Sequence, residues 1–233
     1  MALPPRGELR GRLPDPALGV RGSAGGPGFD VLPPAPPGVP DDDPGAGGSW
    51  PPVSNARLGM WMLLATETVF FGGLVGAFLV LRLNAAVWPP AGQPRLPLAV
   101  TAANTAVLLL SSYTLSRGLA AIRRSDGRDL VRWIARTAGL GALFLAVQGA
   151  EWIRLVHFGL TVSSGAYGST FYTVIGTHGV HVLIALVWLT LVLGQARRGR
   201  YTGRDHVEVA VCAMYWHFVV ALWPLLYLLV YLA

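Results

Sequence analysis

RLGMWMLLATETVFFGGLVGAFLVLR, from Arg57 to Arg82, holds 24 residues between its two arginines, and only one of them, Glu67, can ionise. A helix rises about 1.5 Å per residue and a bilayer's hydrocarbon core is about 30 Å thick, so this run can cross a membrane. Glu67 falls near its middle. An acidic group at that depth costs at least ~2.5 kcal/mol, so it is expected to face a bundle interior, a polar cavity or a partner. A protonated acid, hydrogen-bonded to a neighbouring helix in a structural role, satisfies the same physics.

Composition extends the argument to the whole chain. Hydrophobic residues make up 53% and charged ones 13% of the 233 residues, where a soluble domain carries about a quarter charged. That length suffices for one membrane bundle and leaves no room for a sizeable domain outside it. The one cysteine, Cys212, lies in an apolar run and can form neither an internal disulfide nor a CxxCH haem attachment. All 18 basic residues are arginine. Beyond residue 56 they sit in short loops beside apolar spans, which marks membrane topology and not nucleic-acid recognition.

Residues 1–56 carry 13 of the 18 prolines and 11 glycines, with four arginines, six acids and no apolar run. Such a stretch cannot bury enough surface to fold, and it lacks the apolar core of a secretory signal. It is expected to be a disordered cytoplasmic tail. Residues 57–233 then form the membrane domain, an all-α bundle of five transmembrane helices at about 58–81, 96–116, 137–153, 171–193 and 207–231. The third is the shortest and is expected to extend towards Trp133 and Val156. Arg117, Arg123, Arg124, Arg128, Arg132 and Arg136 lie between spans two and three, and Arg197, Arg198, Arg200 and Arg204 between four and five. The opposite loops hold only Arg82, Arg95 and Arg154. The positive-inside rule therefore places the N-terminus in the cytoplasm and the C-terminus outside.

Counting along the helices sets Glu67, His181 and His217 at one depth, the bilayer midplane. His178 lies on nearly the same face as His181, at i,i+3 spacing. Glu151 and Glu208 fall near opposite surfaces, where water can reach them. His178, His181 and His217 could in principle form a three-nitrogen metal site. With no carboxylate or thiolate ligand pattern beside them, neutral imidazoles tying helices together are the expected reading.

Four stretches, in order, carry a resemblance. RLGMWMLLATETVFFGG (Arg57 to Gly73), NTAVLLLSS (Asn104 to Ser112), GSTFYTVIGTHGVHV (Gly168 to Val182) and YWHFVVALW (Tyr215 to Trp223) resemble the signature stretches of subunit III of the haem–copper terminal oxidases. VWPPAG after the first span, Gln148 with Glu151, and Glu208 opening the last helix fall where that family places comparable residues. The likeness runs from Arg57 to the C-terminus.

It implies a five-helix bacterial form of a non-catalytic subunit in a bacterial inner membrane. Such a subunit binds neither haem nor copper, which belong to partner subunits of an aerobic electron-transport complex. It packs on subunit I, with subunit II nearby, and holds phospholipid in a cleft. It also supports proton uptake and the durability of the active site during proton-translocating oxygen reduction. Glu67 then matches the family's intramembrane carboxylate, and His181 the second histidine of its HGxH stretch, both beside lipid. His178, His217, Arg197 and Arg198 complete the candidate polar set. Trp61 and Trp88 carry over loosely, as interfacial tryptophans.

The chain also departs from the pattern. A proline-rich tail stands where longer members have two more helices, Val220 replaces the aspartate of YWHFVDVVW, and Thr177 replaces a phenylalanine. Pro224, inside the last span, removes a backbone hydrogen bond and is expected to kink it. The electron donor, cytochrome c or quinol, stays open. A small proton-coupled transporter using Glu67, His181 and His217 as a relay is the competing reading, though no repeat or broken span accompanies it. An enzyme with its own active site lacks a nucleophile–base pair.

Overall fold

The computed structural model describes residues 54–90 and 98–232. Most of the expected disordered tail lies outside these residues. The described chain folds into α1 (Asn55–Leu83), α2 (Leu98–Arg123), α3 (Gly127–His157), α4 (Gly165–Arg197) and α5 (Val207–Tyr227), closed by a π-helical turn at Leu228–Leu232. Among the described residues there is no strand. All five helices are long and apolar enough to cross a membrane.

The helices outrun the apolar spans that announce them. The third, expected to be the shortest, is 31 residues long and starts at Gly127. Its first turns carry Arg128, Arg132 and Arg136, which end the hydrophobic run without ending the helix, because arginine is a good helix former. What starts the helix is Asp126, whose carboxylate accepts the Asp129 N–H at 3.0 Å. Trp133 then meets the guanidiniums of Arg117 and Arg136, 5.4 and 4.5 Å from its ring, and the Arg117 contact joins the adjoining ends of α2 and α3.

α5 is the hub. It packs against α1, α2 and α4, and 56% of its spanning window is buried against 17% for α1. Pro224 lies inside α5, and the helix continues past it to Tyr227 before the wider π turn. α1 leans on α4 and α5 from outside. One close approach seats the hub. A Cβ added to Gly141 on α3 would overlap the Trp216 ring, with Cζ2 at 3.0 Å.

Without a hydrophobic force between helices in lipid, polar contacts hold α2 and α5 together. Trp216 Nε1 donates to Ser111 Oγ at 3.1 Å and Trp223 Nε1 to Thr105 Oγ1 at 2.8 Å. Nearer the α2 start, Tyr227 Oη donates to the Leu98 carbonyl at 3.1 Å. α2 meets α3 through Asn104 Nδ2, which donates to the Phe144 carbonyl at 3.1 Å, and through Thr114 and Thr137, whose hydroxyls lie 2.8 Å apart. Thr105→Val should leave the indole N–H of Trp223, a residue only 1% exposed, without its acceptor. A loss of about 1–3 kcal/mol is expected. Thermal unfolding in mild detergent checks this, with Thr105→Ser, which keeps the hydroxyl, expected to stay close to the parent.

Candidate functional site, an intramembrane acid–imidazole pair

α1 and α4 bring the site together. Glu67 projects from the middle of α1 and meets His181 from the middle of α4, with Glu67 Oε2 3.1 Å from His181 Nε2. Both side chains are mostly withdrawn from the surface, at 18% and 15% accessibility. The other imidazole nitrogen, Nδ1, lies 2.7 Å from the Thr177 carbonyl of its own helix. A carbonyl oxygen only accepts, so Nδ1 carries a proton. Nε2 is then a lone pair in the neutral ring and a second N–H in the charged one. The short Nε2–Oε2 contact lies off the line of an aligned hydrogen bond, since Oε2 has no partner of good geometry.

An acid and an imidazole at this separation have one proton to place between them. With the proton on Glu67, the carboxyl donates to Nε2 and both groups are neutral. With the proton on Nε2, the pair is an imidazolium against a carboxylate. Either form offsets much of the cost of placing one such group alone in hydrocarbon. Phe71 packs edge-on against His181 with ring centroids 5.0 Å apart, and Phe70 lies 6.2 Å from the same ring.

The four histidine and glutamate candidates of the midplane separate into three settings. His178 is fully buried, stacked on Trp223 at 5.1 Å and flanked by Phe71, and neither ring nitrogen has a hydrogen-bond partner. It also lines a cavity of about 290 Å³ between α3 and α4. His217 faces away from the pair towards α2, where Nδ1 lies 2.6 Å from Ser112 Oγ. Depth along the axis is shared, but the direction around the helix is not. The three imidazoles thus do not converge, and among the described residues no three His, Cys, Asp or Glu side chains could hold a metal ion together.

The remaining candidates lie towards the two ends. Arg197 closes α4 and Arg198 follows it, both exposed. Glu208 at the α5 start takes Arg200 at 3.0 Å and the Tyr201 hydroxyl at 2.8 Å, so the α4–α5 loop is tied down. Burial and then the hydrogen bond to Glu208 push the Tyr201 phenol well above its usual pKa, keeping it a donor. At the other end, Glu151 was expected within reach of water, but the structure buries it. Its carboxylate is 9% exposed and is met at 2.8 Å by Arg154, whose head points outward. Trp61 is 61% exposed. Trp88 instead wedges between Phe78 and Tyr167, at 5.8 and 5.1 Å. Thr177, Phe71 and Trp223 fix the imidazoles, a role that nothing in the sequence had marked for them beyond their position one turn or one motif from His178 and His181.

This arrangement, an acid on the first helix paired with the second histidine of THGVH on the fourth, stands beside a match along the chain. Residues 47–233 fit the family model described as cytochrome c oxidase subunit III. The chain belongs to the cytochrome c oxidase subunit III family. Curated relatives agree. Cytochrome c oxidase subunit 3 of Synechocystis sp. is 38% identical over 175 residues, covering 75% of this chain and 74% of its own length. The Thermostichus vulcanus protein of that name is 36% identical over 176 residues, 75% of this chain and 86% of the relative. That of Bacillus subtilis is 36% identical over 182 residues, 76% and 86%. The cytochrome c oxidase subunit III fold in this chain is thus a multi-pass membrane bundle, and its relatives are components of an oxidoreductase complex.

Proposed function

We propose that this chain is the non-catalytic subunit III of a bacterial respiratory oxidase, packing on subunit I with subunit II nearby. In this reading haem and copper reside in those partners. The chain supports proton uptake and the durability of the active site, and holds phospholipid beside the Glu67–His181 pair. The observation that carries it is that pair: a family-matching acid and a family-matching histidine 3.1 Å apart on two spanning helices. The arginines also gather at one end of the bundle, which supports a cytoplasmic N-terminus in the inner membrane. Arg197 and Arg198 at that end suit anionic headgroups.

Purifying the tagged chain from its native membrane in mild detergent tests the assignment. A haem spectrum should accompany the intact complex, and the chain separated from its partners should contain no stoichiometric iron or copper. A tagged chain that purifies alone and carries protons across vesicles would instead favour the transporter reading. Removal of residues 1–50 should leave insertion and assembly intact, measured by the yield of the haem-bearing complex, and limited proteolysis of inside-out vesicles should clip that segment first.

A further inference from the structure

On the side of α1 away from the α4 contact, a groove of about 310 Å³ runs between α1 and α2 over a floor made by α5. Arg57 and Trp61 of α1, Arg123 of α2 and Ala210, Ala213 and His217 of α5 are among the residues that line it. Arg57 is in the first turn of α1 and Arg123 is the last residue of α2, so both guanidiniums lie at the same membrane surface. Neither is paired with an acid among the described residues. Trp61, one turn further in than Arg57, is at the depth where an indole favours the headgroup boundary. The alanines leave the floor open. From Ala210 to His217 the groove descends about 10 Å along α5, within the half-thickness available to one acyl chain.

We infer that this groove binds one anionic phospholipid of the arginine-side leaflet, its phosphate between Arg57 and Arg123 and an acyl chain along Ala210 towards His217. Two unpaired guanidiniums beside an apolar channel complement a phosphate joined to a hydrocarbon chain. They select against a zwitterionic headgroup, whose own cation they repel. The site is separate from the Glu67–His181 pair, which α1 presents to α4, and does not depend on the role proposed for that pair.

The test uses the native complex, partly delipidated in mild detergent and titrated with phosphatidylglycerol or phosphatidylethanolamine, with retained lipid counted by mass spectrometry. Wild type should retain one more equivalent of phosphatidylglycerol than the double variant Arg57→Gln/Arg123→Gln. Affinity should fall roughly fivefold for each arginine removed. Ala210→Leu, which fills the channel and leaves both charges, should expel the same equivalent. Glu67→Leu should keep it. Millimolar inorganic phosphate should not displace it. Equal retention by the double variant, equal retention of the two lipids by wild type, or displacement by phosphate alone would each overturn the assignment.

Discussion

Glu67→Leu is expected to shorten the active lifetime of the oxidase and to strip phospholipid from beside α1 and α4, whereas Glu67→Gln should resemble the parent in both. The reason is the proton on His181 Nδ1, which the Thr177 carbonyl holds in place. In the neutral ring Nε2 is an acceptor, and it needs a donor. Protonated glutamic acid supplies an O–H and glutamine an N–H of similar reach, while leucine supplies nothing and leaves Nε2 bare in hydrocarbon. An orphaned buried polar group costs about 1–3 kcal/mol, which corresponds to a fivefold or larger shift in the balance between intact and opened forms. The measurement is oxygen consumption over many turnovers, together with lipid content, for wild type and both variants. A relay that must release its proton behaves otherwise. There Gln is as damaging as Leu, and immediate loss of turnover in Glu67→Gln with lipid and assembly unchanged would place Glu67 on an obligatory proton path.

Gly141→Val is expected to damage the bundle severely. The added side chain has no empty direction, because the Trp216 ring already stands where its first carbon must go. Trp216 cannot retreat, being 1% exposed and bonded through Nε1 to Ser111 on α2. Overpacking of this kind costs about 1–3 kcal/mol even for one methyl, so Gly141→Ala should already lower the thermal midpoint and valine should reduce the yield of assembled complex. Gly149→Ala on the same helix is the control. A Cβ there meets nothing within 4 Å, and a change within about 0.5 kcal/mol is expected.

How much of this could be read beforehand varies with the kind of information each residue carries. Hydropathy located five spans, since the bilayer imposes a length that arginines then bracket. It could not locate helix ends, because Arg128 and Arg132 leave the membrane without leaving the helix, and the true start was written in Asp126. Depth counting put Glu67, His181 and His217 in one plane. Only the first two meet, because azimuth depends on how α5 packs, and α5 turns His217 to Ser112. The burial of Glu151 was equally hidden. Its distance from the span end suggested water, while the neighbouring Arg154 one turn later was the sign that the charge could be answered inside. Trp88, carried over as an interfacial tryptophan, packs between Phe78 and Tyr167, contacts that a residue type alone does not announce.

The hydroxyls on α2 bear on the order in which the chain enters the membrane. Ser111 donates to its own helix at the Leu108 carbonyl and Thr105 to Thr101, at 2.6 and 2.7 Å. A nascent α2 can therefore wait in lipid, long before α5 has been synthesised, with both hydrogens already satisfied. What it leaves on offer is two oxygen lone pairs, which are far less costly to expose than bare donors. When α5 arrives it carries the opposite need, two indole N–H groups seven residues apart, and these fit the waiting oxygens at only one offset of the antiparallel pair. A slip of one turn would break this double match. The late helix thus checks its own alignment against the early one.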